Sequence, residues 1–178
     1  MKVNGNHYHS IWYDKNLDQV KIIDQRLLPY EFKIITVETL EEFEIAIKDM
    51  AVRGAPLIGA TAAFGIARQM LRDNSNKNLD LSWDRLNQTR PTAINLKWAL
   101  DRCRNHLLNI PLTDRGYKAM QLAIEIANED VEINKKIGLN GLEIIKSISN
   151  KKPKGEPTRL LTHCNAGWLA TVDWGTIL

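Results

Sequence analysis

Two cysteines, Cys103 and Cys164, are too few for a disulfide framework. Long hydrophobic runs are missing as well. The most apolar stretch, residues 55–67, is dominated by small residues and is too short to span a bilayer. Residues 1–10 are polar and contain no apolar core of the kind a secretory signal needs. Ten glycines and six prolines are scattered without a period, which excludes collagen-like and mucin-like chains. Neither sign of charge dominates. The 24 Lys and Arg face 21 Asp and Glu, and a net charge of +3 is too mild for a nucleic-acid-binding stripe. These absences predict a protein of a reducing cytoplasm, with neither a membrane nor a nucleic acid as partner.

What is present suffices for a core. Hydrophobic residues make up 44% of the 178 and charged residues 25%, as in ordinary globular proteins. The positive excess is local: residues 51–110 carry nine basic and four acidic side chains, a balance compatible with a small anionic ligand. Residues 9–13, 19–24 and 32–37 mix β-branched, aromatic and polar residues between turn formers and predict a small antiparallel meander. Thr39 and Glu42 have the spacing of a capping box, followed by Phe43, Ala46, Ile47 and Met50 at helical intervals. Pro56 predicts a second helix running to about Leu71, and residues 73–81 read as a polar loop. Ser82 would cap a short helix, and Pro91 would open the next, with Ile94, Trp98 and Leu108 marking its apolar face and Leu96, Ala99 and Leu100 widening it. Residues 113–149 are helical in pattern, with Gly138 and Gly141 expected to interrupt or kink them. The stretch 151–158 is charged, Pro-rich and a linker, and residues 159–162 read as a buried strand leading into a turn.

Three places share one design, a loop with a cationic or reactive group just before an expected helix N-terminus, where unpaired amides favour anions. Arg53 and Gly54 precede Ala55 and Pro56. Arg90 precedes Pro91. Cys164 sits in the Thr162–Gly167 turn. Arg53 and Arg90 could fork a phosphate or serve as solvated turn residues. Cys164 could be a nucleophile with a lowered pKa or a small hydrophobe. Cys103 is mid-helix and structural. Cys103 with His106, and His7 with His9, are pairs too small for a metal site, so no metal is predicted.

Residues 24–29 (DQRLLP), 50–59 (MAVRGAPLIG), 90–96 (RPTAINL) and 161–167 (LTHCNAG) together resemble the signatures of the methylthioribose-1-phosphate isomerase family, which shares its fold with the regulatory subunits of initiation factor 2B. The resemblance runs in order along essentially the whole chain. It implies a predominantly helical α+β fold: an N-terminal sheet and helical bundle over 1–150, a linker at 151–158, and at 159–178 the first strand and turn of a Rossmann-like α/β domain. It implies isomerisation of 5-methylthioribose 1-phosphate, an aldose-to-ketose step of methionine salvage. By position, Arg53, Gly54, Ala55 and Arg90 would contact the substrate, and Cys164 would be the catalytic cysteine. No cofactor is implied, and members of the family homodimerise. The family's catalytic aspartate and further substrate contacts lie beyond residue 178. The chain is therefore expected to be an N-terminal fragment with little activity alone. Two other functions fit similar motifs: a non-catalytic binding module like the initiation-factor subunits, and an isomerase of ribose 1,5-bisphosphate.

Overall fold

The computed structural model describes residues 2–176. A short hairpin pairs β1 (Lys2–Val3) with β2 (Asn6–His7). The expected meander follows: β3 (Ile11–Asp14), β4 (Gln19–Ile23) and β5 (Ile34–Val37) form one antiparallel sheet in the order β3-β4-β5. Ile11 pairs with Ile22, and Val20 with Val37, so β-branched residues stack across the strands. Helix α1 (Leu40–Lys48) starts at the capping box: Thr39 Oγ1 accepts from the Glu42 N–H, and the Glu42 carboxylate accepts from the Thr39 N–H. Such a cap contributes about 1 kcal/mol.

Helix α2 (Ala55–Arg72) is the centre of the molecule, buried on nearly all sides and packed against α1, α3, α4 and α5. Its small residues set the packing distance. A Cβ on Gly59 would come within 2.9 Å of the Asn95 carbonyl oxygen, so α4 can lie against α2 only with glycine there. Phe64, Ile66 and Met70 fill the space around it, each burial contributing roughly 1.5–3 kcal/mol.

The structure corrects several expectations. Helix α3 spans Asn76–Thr89 and begins inside the stretch read as loop. Ser75 is its cap, accepting from the Asn78 N–H, and Ser82 lies buried in the helix interior. The polar composition of this segment hid a narrow apolar stripe, Leu79 and Leu86. Helix α4 (Ile94–Leu107) starts after Pro91, because the Ala93 N–H bonds back to the Arg90 carbonyl and puts Pro91 inside a turn. Its core face is Leu96, Ala99, Leu100, Cys103 and Leu107, while Ile94 and Trp98 are 83% and 50% exposed. Helix α5 (Leu112–Ser149) runs unbroken through Gly138 and Gly141. Its second half buries only Asn134 among the described residues, and Ile133, Ile137, Ile144 and Ile148 are exposed. Residues 159–162 form no strand and are exposed, Leu161 completely. A lone extended segment gains no ladder hydrogen bonds, and no described strand lies beside it. Among the described residues no helix is long and apolar enough to cross a membrane.

Candidate active site

The chain between α1 and α2 is anchored from below. Ala51 and Val52 are buried, the Val52 N–H bonds to the Ala46 carbonyl, and the Ala51 carbonyl accepts from the Gln25 N–H. This leaves Arg53 exposed at the rim, its Nε donating to Gln25 Oε1 at 3.3 Å. Gly54 follows with φ 103° and ψ 135°, a backbone conformation suited to glycine. Ala55 is the exposed first residue of α2, and Pro56 follows it.

The segment after Cys164 closes onto this loop. Trp168–Ala170 make a single 3-10 turn, and residues 170–173 are buried. The Ser10 N–H donates to the Val172 carbonyl at 2.8 Å, and the Val172 N–H donates to Asp130 Oδ2 at 2.7 Å. Gln25 Nε2 donates to the Leu169 carbonyl at 2.8 Å. Gly54 lies so close to Ala170 that a Cβ would stand 2.4 Å from its Cα and carbonyl oxygen. Gln25, only 3% exposed, thus bridges Arg53 to the cysteine-bearing segment. Sequence reasoning gave it no role. Its place in the 24–29 motif was the only signal, since its partners come from residues 53 and 169.

Arg90 is the half-buried C-cap of α3. Neither Arg53 nor Arg90 has a carboxylate partner among the described residues, whereas Arg26, Arg68, Arg85, Arg102 and Arg104 each have one. The helices after these two loops, α2 and α4, both begin without a side-chain cap. Their first-turn N–H groups and positive helix ends remain available to an anion. The Gly59–Asn95 contact brings those two N-terminal ends together. A cleft of about 460 Å³ lies beside them, lined by Pro56, Asn95, Trp98, Asp130, Asn134 and Thr176 among others. Burial pushes the Asp130 pKa up, against the bonds it accepts from Val172 and Asn134.

Cys164 is a free, exposed thiol with φ 67°. The strand and helix expected on either side of it are absent. The element that follows is one 3-10 turn, which supplies no helix dipole to the sulfur. Cys103 is fully buried, and burial raises its pKa to about 12, in keeping with a structural role.

Residues 51–172 match the Initiation factor 2 subunit family. The chain belongs to that family. Its relatives there include the methylthioribose-1-phosphate isomerase of Rhizobium meliloti, 56% identical over 99% of this chain and 48% of that protein. The isomerase of Escherichia coli O45:K1 is 51% identical over 100% of this chain and 48% of its own length. The chain spans about half the length of these curated relatives. Two solved structures agree. The 5-methylthioribose 1-phosphate isomerase of Pyrococcus horikoshii has a TM-score of 0.77 and 39% identity, covering 96% of this chain and 47% of its own. The translation initiation factor eIF-2B subunit delta of A. fulgidus has a TM-score of 0.78 and 38% identity, covering 95% and 48%.

Proposed function

We propose that the protein serves the isomerisation of 5-methylthioribose 1-phosphate to 5-methylthioribulose 1-phosphate. One observation carries this reading: two helix ends without side-chain caps, each introduced by a loop with an arginine lacking a carboxylate partner, approach each other through Gly59 and Asn95. That arrangement suits a phosphate on a small molecule. Similarity to the Rhizobium meliloti isomerase over 99% of the chain supports the substrate. Arg53 and Arg90 would hold the phosphate, Gly54 and Ala55 would let it approach the backbone, and Cys164 would act at the reacting carbons.

The phosphate on the anomeric carbon blocks the free aldehyde, so the ring must open before hydrogen moves. Opening breaks the bond from C1 to the ring oxygen, which gains a proton. The hydrogen on C2 then passes to C1, O2 loses its proton, and C2 becomes the ketone. The conversion is redox-neutral and the reading assigns it no cofactor. An exposed thiol can supply or accept one of these protons. The same reading takes 1–150 as one domain, 151–158 as a linker, and 159–178 as the opening of a Rossmann-like domain. The exposed, irregular backbone of 151–158 supports the linker. We further propose that the protein acts in the cytoplasm, in a family whose members homodimerise. The likeness to the A. fulgidus eIF-2B subunit favours a second reading, a regulatory binding module that uses the same scaffold without turnover.

The test has two parts. The 178-residue chain is titrated with 5-methylthioribose 1-phosphate, and Arg53→Ala and Arg90→Ala should each weaken binding about tenfold or more, the scale of a lost charge-assisted hydrogen bond. Turnover is then assayed for the chain alone and with a separately expressed C-terminal half of the Rhizobium meliloti relative, with Cys164→Ser as control. Turnover abolished by Cys164→Ser supports the isomerase. Binding that ignores both arginines contradicts it.

A further inference from the structure

His7 and His9 form only a pair in the sequence, but the fold supplies a third group from the far end of the chain. The hydrogen bond from the Ser10 N–H to the Val172 carbonyl brings Asp173 beside them. Asp173 is 3% exposed. Its Oδ2 lies 2.7 Å from His7 Nε2 and 3.6 Å from His9 Nε2. The imidazole rings meet edge to face, at 89° with centroids 5.2 Å apart, rather than stacking. One ligand atom from each of the three side chains falls within 4.8 Å of the others.

We propose that His7, His9 and Asp173 bind a divalent transition-metal ion, with zinc as the reference ion. Two imidazoles and one carboxylate suit zinc and its neighbours, whereas calcium and magnesium require mostly oxygen ligands. The spacing fits. Zinc bonds of about 2.0–2.2 Å at tetrahedral angles place neighbouring ligand atoms about 3.3 Å apart. The His9–Asp173 separation is already close to that value. The His7–Asp173 pair must open by about 0.6 Å, and the His7 side chain, 54% exposed on a two-residue strand, has room to move. Three protein ligands leave a position for water or an outside ligand. A bound ion would clamp the N-terminal hairpin to the segment that follows Cys164 and packs on Gly54.

The full chain is titrated with zinc chloride by calorimetry, and its thermal unfolding is followed with and without zinc. One saturable site and a raised Tm are expected. His7→Ala and His9→Ala should each weaken binding by more than about tenfold, and Cys164→Ser should leave it unchanged. Cobalt(II) on the unaltered chain provides a readout that needs no variant. It should show the visible bands of a nitrogen–oxygen site without the near-ultraviolet charge-transfer band of a thiolate ligand. A thiolate band, zinc binding insensitive to both histidine variants, or no saturable site would each overturn the proposal. In that last case the cluster is a structural ion pair only.

Discussion

Replacing Gly54 with alanine tests how the candidate active site is assembled. Two independent costs arise. The φ of 103° is strained for any residue with a Cβ, at about 1–3 kcal/mol. The new Cβ would also stand 2.4 Å from the Ala170 Cα and carbonyl oxygen, and 2.6 Å from its Cβ. Those first two atoms are backbone and cannot rotate away, so the segment must shift, at a cost of about 1–3 kcal/mol for overpacking. Together these give about 2–6 kcal/mol, which lowers the Tm of a chain this size by about 5–20 °C. The displacement should also loosen the bond from the Ser10 N–H to the Val172 carbonyl and the bond from the Val172 N–H to Asp130, raising amide exchange at Ser10 and Val172. Adding Ala170→Gly should not restore the loss, since it removes only the Cβ contact. Arg53→Ala, at an exposed side chain beside Gly54, should leave the Tm within the small range of surface substitutions. A Gly54→Ala protein with unchanged Tm and unchanged amide protection would refute the reasoning and free residue 54 for a purely ligand-related role.

Thiol labelling of the native chain should show one fast group, Cys164, and a second that reacts only in denaturant, because burial pushes the Cys103 pKa up to about 12. Cys164→Ser should remove the fast phase, and two fast phases would contradict the buried position of Cys103. The Arg26 side chain, at 2.6 and 2.8 Å from the carboxylate, holds Asp24 below its usual range. The stabilisation is complete above the unfolded aspartate value of about 3.9 and is lost as pH falls through the lower folded value. Asp24→Asn should therefore flatten the acid limb of Tm against pH, and an acid limb parallel to that of the unaltered chain would count against the pair.

Much of the architecture was legible locally. The meander, the capping box at Thr39 and the second helix through its small residues are short-range patterns, and each formed where the residues placed it. The failures have physical causes. Ser82 reads as the cap of the third helix, but Ser75 is the residue that caps it. The choice fell to Ser75 because Leu79 must reach the core, and that extends α3 one turn and more toward its N-terminus. Of the residues expected on the apolar face of α4, Leu96, Ala99 and Leu100 are buried, whereas Ile94 and Trp98 are exposed, because Gly59 lets α4 approach α2 along the former. Residues 159–162 have strand composition, and composition cannot supply a neighbouring strand.

The sequence by itself determined the candidate loops: Arg53-Gly54, Arg90-Pro91 and the Cys164 turn are contiguous motifs, legible from neighbouring residues alone. Only the tertiary structure decided which distant groups meet around Arg53 and the segment that follows Cys164. Gln25 reaches residues 53 and 169, Asp130 holds the Val172 amide, and Asp173 meets His7 and His9. Each of these contacts spans from tens of residues to most of the chain. Periodicity and spacing carry information over a few turns of backbone. Which distant groups meet is set by the packing of α2 at the centre and by the burial of the segment that follows Cys164.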